Sequence, residues 1–276
     1  IANDLVNRMG ITYINRMHNA TGAEPADIAA AYLIARQMFD VDAYWAQIED
    51  LDGRVTTGVQ IELIKELTGL LARGSHWLLQ HRRQALDPAA LCERYRDALS
   101  QVMASSETLA AVIPRDRWDE RYGYFIEQGV PEQLALYCAS AESRYWLMDI
   151  IDISVQLEQP VAEVAEVYFT LGEGLQLTWL DRQVRTLRLD NHWQLMAAIG
   201  FRNDLDHQLR RLTSAVYGCD RGTTALEPAT RVAHWREQQA GRISRWERTL
   251  SDIQTGTTID SAVLAVAQDV LRELAS

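Results

Sequence analysis

Apolar positions along this chain recur mostly at three- and four-residue spacings, the period of an α-helix with one buried face. Ile1, Leu5, Met9, Tyr13 and Met17 form such a stripe and Thr21-Gly22 ends it, which predicts a first helix over about 1–19. A second helix starts near Pro25 and buries Ile28, Tyr32, Ala35, Met38 and Phe39. A third, about 41–51, uses Val41, Tyr44, Trp45, Ile48 and Leu51 and stops at Asp52-Gly53. A long helix over about 57–81 turns Leu63, Leu67, Leu70, Leu71, Trp77 and Leu78 inward. Gly69 and Gly74 each weaken it by roughly 1 kcal/mol relative to alanine, so close packing is the expected reason for both. Helical patterns follow over about 88–103, after Pro114, after Pro131, over 142–157, after Pro160, and over 178–187, 191–217, 228–253 and 258–274. Residues 104–113 are ambiguous, and 218–227 is the clearest loop.

The six prolines, at 25, 88, 114, 131, 160 and 228, each stand near the start of a helical pattern, where the missing N–H costs nothing. Asp52-Gly53 is the only Asp-Gly and Asn-Gly does not occur, so the turn signals of a β protein are absent. The expected fold is an all-α, multi-helix bundle. Residues 28–51 also align with 164–187 at an offset of 136: Ile28 with Val164, Ala29 with Ala165, Tyr32 with Tyr168, Phe39 with Leu175, Val41 with Leu177, Tyr44 with Leu180, Ile48 with Val184 and Leu51 with Leu187. That pattern predicts an internal duplication of a helical unit. The expected segments are 1–83, a first unit; 84–140, a connector; 141–217, a second, related unit; and 218–276, a loop and C-terminal helical hairpin. Together they would form one continuous helical domain of a larger enzyme.

At 276 residues and 47 % apolar composition, the chain can bury a sizeable core. It has no apolar run of the 18 or so residues that a spanning helix needs, and its first residues, Ile1-Ala2-Asn3-Asp4, lack the basic start and apolar middle expected of a signal peptide. Its net charge of −11 argues against nucleic acid and against an anionic membrane surface as partners. Cys92, Cys138 and Cys219 form no CxxC pair and fit buried cytosolic thiols. The chain opens at Ile1 without an initiator methionine, inside a running helical pattern, which fits a fragment or a processed product.

Candidate chemistry is sparse. Lys65 is the only lysine among 27 basic residues, and it sits on an amphipathic run where a surface role is expected. No histidine pair has the i, i+4 spacing of a helical zinc site, and Asp204-x-x-His207 is a single, imperfect match to a di-iron motif. Gly172-Glu173-Gly174 is followed by leucine at 177, so the dinucleotide fingerprint GxGxxG is incomplete and a helix boundary is the better reading. Asp149 with Asp152, and Asp204 with Asp206, are the acid pairs a general acid–base mechanism could use, but such pairs are common on solvated helix faces. The tryptophans at 45, 77, 118, 146, 179, 193, 235 and 246 fit core anchors, although Trp235 and Trp246 on a charged late helix could mark an interface. No residue emerges as a catalytic, cofactor-binding or metal-binding site.

Several stretches together resemble one family: ANDLVNRMGITYINRM at 2–17, TGAEPADIAAAYLIARQMFDV at 21–41, WAQIEDLD at 45–52, GVQIELIKELTGLLARGSHWLL at 58–79, PVAEVAEVYFTLGEGLQLTWL at 160–180 and FRNDLDHQLRRLTSAV at 201–216. They are similar to the C-terminal helical domain of the large bacterial NAD-specific glutamate dehydrogenases. The resemblance is weaker over 84–140 and past 218. It implies a cytoplasmic, homo-oligomeric parent enzyme that oxidises L-glutamate with NAD⁺ to 2-oxoglutarate and ammonia. The nucleotide fold and catalytic lysine of the family lie upstream, so the segment is expected to be inactive alone and to dock on the catalytic domain of its own chain. The competing expectation is a free-standing helical scaffold that binds a partner protein, since stacked helical repeats build concave surfaces.

Overall fold

Proline marks the helix starts in the computed structural model of this chain, which describes residues 11, 14–15, 17–19, 22–82, 88–186, 192–219, 226–256, 259 and 261–276. Pro25, Pro88 and Pro228 are the first residues of helices, and Pro131 and Pro160 are N-caps. The helices are α1 (Pro25–Met38), α2 (Val41–Glu49), α3 (Thr57–Arg82), α4 (Pro88–Val102), α5 (Ser106–Ala110), α6 (Asp119–Glu127), α7 (Glu132–Ala139), α8 (Ala141–Leu157), α9 (Val161–Gly174), α10 (Leu177–Thr186), α11 (His192–Gly218), α12 (Pro228–Gln238), α13 (Ala240–Thr255) and α14 (Ser261–Leu274). One 3₁₀ turn at Arg115–Arg117 precedes α6. No strand occurs among the described residues, so the fold is all-α as expected. The expected helix over 1–19 and loop over 218–227 fall largely outside the described residues.

Two segments differ from the sequence expectation. The ambiguous stretch 104–113 contains the short helix α5, whose Ser105 hydroxyl accepts from Thr108 N while the Thr108 hydroxyl accepts from Ser105 N. That reciprocal cap satisfies N–H groups a one-turn helix would otherwise leave orphaned. The single helix expected over 228–253 is two helices, broken at Gln239. Between buried Trp235 and buried Ile243 no residue is buried, so no apolar stripe carries one helix across the gap.

The chain divides into two compact units, 1–151 and 152–276, with the boundary inside α8. In the first, α1 packs on α2, α3 and α4, α2 and α3 also meet α7, and α6 lies against α7. In the second, α9 packs on α10, α11 and α12, and α11 and α13 both meet α14. Each unit buries its helix stripes in its own core: Ile28, Ala35, Leu63 and Leu67 in the first, and Leu171, Phe201, Leu212 and Trp246 in the second.

Within the units, the same local plan recurs. α1 and α9 are both 14 residues long, and each is followed by a single non-glycine residue in the left-handed region, Asp40 (φ 50°) and Gln176 (φ 56°). α2 and α10 begin directly afterwards. These positions keep the offset of 136. Further along, buried Ser75 on α3 and buried Thr213 on α11 each donate a hydroxyl to the carbonyl four residues back, at 2.8 and 2.9 Å, at an offset of 138. Buried Tyr95 on α4 and buried Trp235 on α12 stand 140 apart.

Only one of the two expected glycine contacts exists. A Cβ at Gly74 would run into the ring of buried Phe39, whereas a Cβ at Gly69 would meet nothing within 4 Å. Gly74→Ala is therefore expected to destabilise the protein by about 1–3 kcal/mol through overpacking. Gly69→Ala is expected to stabilise it by up to about 1 kcal/mol, through helix propensity alone. Urea unfolding of the two variants beside the parent checks the opposite signs.

Candidate anion-holding cavity at the α1–α2 turn

The turn between α1 and α2 depends on a left-handed aspartate, a conformation that costs an L-residue about 1–3 kcal/mol and persists when its surroundings over-determine it. Here the fixing group comes from far along the chain. The hydroxyl of Tyr137, on α7, donates a hydrogen bond to the Phe39 carbonyl, which immediately precedes Asp40. Tyr137 is buried and stacks on Tyr44 with ring centroids 3.4 Å apart. Burial raises its pKa above the ordinary tyrosine value, so the phenol stays a neutral donor. Burial likewise pushes the neighbouring Cys138 thiol up to about 12, which makes it a packing residue and not a nucleophile.

Beside this stack lies a cavity of about 280 Å³. Met38, Phe39, Leu99, Met103 and Leu136 give it apolar walls, and Asp40, Ser100, Gln133 and the exposed Arg96 stand among the polar residues around it. Arg144, from the first turn of α8, also lines it. That guanidinium lies 3.9 Å from the centroid of the Tyr137 ring. Its residue is only 8 % exposed, and its Nε has no hydrogen-bond partner among the described residues. No carboxylate among them pairs with it, and burial pulls its pKa down, opposed by the nearby Tyr137 and Tyr44. The aromatic face offsets part of the desolvation cost of the charge. The two guanidinium groups on its lining favour negative charge, the Asp40 carboxylate on the same lining opposes it, and no nucleophile is paired with a base there.

The residues that the sequence singled out for chemistry take structural roles. Lys65 is exposed and pairs with Glu62 at 2.8 Å, while Arg121 bridges Glu62 (2.7 Å) and Glu66 (3.0 Å). Asp149 is buried and accepts from Trp77 Nε1 at 2.8 Å. Asp152 is buried, pairs with Arg210 and accepts from Gln156 at 2.9 Å. The first belongs to one compact unit and the second to the other, and each is committed to a partner of its own. Asp204 contacts Arg272 at 3.4 Å and Gln208 at 3.4 Å. Gly172 and Gly174 lie in the last turn of α9, with no strand before them; they do not fit the N-terminal phosphate cradle of a dinucleotide site. The interface reading of Trp235 and Trp246 is overturned: both are fully buried in the second core, and Trp246 donates from Nε1 to the Leu175 carbonyl at 2.8 Å.

Sequence reasoning missed Arg144. The one available signal was a lone arginine in the largely apolar run LALYCASAESRYWLMDII over 134–151.

Comparison with known proteins agrees along the whole chain. Residues 1–273 match the family described as glutamate dehydrogenase, C-terminal. The chain is similar to the NAD-specific glutamate dehydrogenase of Pseudomonas aeruginosa, with 37 % identity over 275 residues, covering 100 % of this chain and 17 % of that protein. The corresponding protein of Halomonas elongata is 34 % identical over 275 residues, with the same coverage. That of Mycobacterium tuberculosis is 29 % identical over 274 residues, covering 99 % of this chain and 17 % of that protein. The chain thus spans about a sixth of the length of these relatives and belongs to the glutamate dehydrogenase C-terminal family.

Proposed function

We propose that this chain is a non-catalytic helical domain of a large NAD-dependent glutamate dehydrogenase, with a structural, assembly or regulatory role. The whole enzyme would convert L-glutamate and NAD⁺ to 2-oxoglutarate, ammonia and NADH in the cytoplasm, as a homo-oligomer. NAD would sit in a catalytic region upstream, and this domain would dock against that region. The observation that carries the reading is the end-to-end match to relatives named NAD-specific glutamate dehydrogenase, in which the match takes up only 17 % of the length. The placement of Lys65, Asp149 and Asp152 in ion pairs and hydrogen bonds of the fold supports a non-catalytic role.

We also infer that the two compact units descend from one duplicated helical unit. The matched spans of α1 and α9, the left-handed residues at 40 and 176, and the shared neighbours of α1 and α9 support it. The drift of the offset from 136 to 140 is what two small insertions in the connections would produce.

An antibody against this segment gives the test. Immunoprecipitation of the native protein should bring down a chain several-fold longer than 276 residues that reduces NAD⁺ only when glutamate is supplied. A short chain without that activity would replace the reading with a free-standing scaffold that binds a partner protein.

A further inference from the structure

The two units resolve the same problem differently, and the difference leaves one cation exposed to a cavity. In the second unit, Arg236 on α12 donates from Nη1 to the Gly174 carbonyl at 2.6 Å and so caps the end of α9. It can approach because residue 174 has no side chain: a Cβ there would stand 2.7 Å from that nitrogen. The next carbonyl, at Leu175, takes the Trp246 indole N–H, and the fully buried indole fills the space beside the turn.

In the first unit, the residue at the place of Gly174 is Met38, and the arginine at the place of Arg236 is Arg96. Arg96 makes no hydrogen bond or ion pair among the described residues and stands at the cavity instead. The Phe39 carbonyl is satisfied by Tyr137, which leaves the cavity unfilled and Arg144 beside it. Arg144 is thus a buried guanidinium with an unpartnered Nε; a second arginine lines the same space, as does the carboxylate of Asp40, which makes no ion pair with either arginine among the described residues. An uncompensated buried charge destabilises a fold. A planar guanidinium matches the two oxygens of a carboxylate or phosphate group.

We propose that the cavity at the α1–α2 turn binds a small organic or inorganic oxyanion, a carboxylate or a phosphate, on the guanidinium of Arg144, with Arg96 adding a second positive charge at the cavity. Met38, Leu99 and Met103 would give the bound group an apolar side, and the burial of Arg144 strengthens the pairing. The proposal goes beyond the domain's role in a dehydrogenase, because a binding measurement does not depend on whether the protein oxidises glutamate.

The test is isothermal titration calorimetry of the full-length protein with malonate and, separately, with inorganic phosphate. Only the part of the binding that changes in two variants counts: Arg144→Met, which removes the charge, and Ser100→Trp, which plugs the cavity from an exposed helix position. Saturable binding of at least one anion, weakened about tenfold or more by each variant, is the expected result. Malonate alone would identify the ligand as a carboxylate, phosphate alone as a phosphate, and either supports the site. Thermal unfolding without anion supplies a second readout: Arg144→Met should melt at the same temperature as the parent or higher, since it removes an unpaired buried charge. Absence of saturable binding by either anion, or parental affinity in folded Ser100→Trp and Arg144→Met proteins, would overturn the proposal.

Discussion

Trp246→Ala is expected to lower the unfolding free energy by about 3–5 kcal/mol, as truncation of a fully buried tryptophan does elsewhere. Two losses combine. The first is the apolar volume of the indole in the second core, where Trp246 belongs to the same buried cluster as Leu175, Leu177, Ile243 and Leu250. The second is the N–H donated to the Leu175 carbonyl at 2.8 Å, across 71 positions of sequence. That carbonyl sits directly before Gln176, whose left-handed backbone has no glycine to make it cheap. Losing the donor leaves a buried acceptor unsatisfied and removes one constraint that holds the turn. Trp246→Phe separates the terms, because it keeps most of the ring and loses only the donor. Its expected cost is about 1–3 kcal/mol, the range for an orphaned buried acceptor. Urea unfolding followed by far-ultraviolet circular dichroism checks both. Equal costs for the two variants would show that the hydrogen bond, and not the volume, holds the turn.

Much of this architecture was legible in the pattern of the chain. Stripes at three- and four-residue spacing placed α1, α2 and α3 within a few residues of their observed ends, because each helix buries one continuous face. Prolines marked starts for a local reason, the missing N–H, which needs no tertiary knowledge. The proposed repeat rests in sequence mainly on apolar positions matched with apolar ones, as in Ile28 and Val164. What escaped is what depends on distant partners. Trp235 and Trp246 lie among charged residues in sequence, yet both are buried, since α13 packs on α12 and α14 and turns its charged positions away. The break at Gln239 reflects a gap in burial, not a proline or glycine stop. Arg144 was invisible because periodicity reports where a side chain points and says nothing of whether a counter-charge awaits it. Gly69 and Gly74 read alike in sequence, and only the position of Phe39 distinguishes them.

The same reasoning bears on Asp152, whose loss should be nearly as costly as that of Trp246. Its buried carboxylate pairs with Arg210 on α11, whose side chain is 12 % exposed, and it also accepts from Gln156 at 2.9 Å. Asp152→Ala removes a buried carboxylate from beside a guanidinium that is itself largely desolvated. The expected cost is about 3–5 kcal/mol, which is the penalty for breaking a buried ion pair from one side and not a measure of what the pair contributes. The distinction is testable. A double replacement, Asp152→Leu with Arg210→Met, removes both charges and keeps apolar volume, so it should recover most of the loss and bring stability close to that of the parent. Urea midpoints at neutral pH, read only where the slope of the unfolding line is unchanged, compare the three proteins on one scale. A double variant as unstable as Asp152→Ala would mean that the pair itself, through its geometry and further hydrogen bonds, stabilises the second unit. Recovery in the double variant would show that the cost of Asp152→Ala comes from the charge left on Arg210 and not from the loss of the pair's own attraction. Arg144 is the instructive contrast: it is as deeply buried but has no carboxylate partner among the described residues, so Arg144→Met, unlike removal of Arg210's partner, should not destabilise the fold.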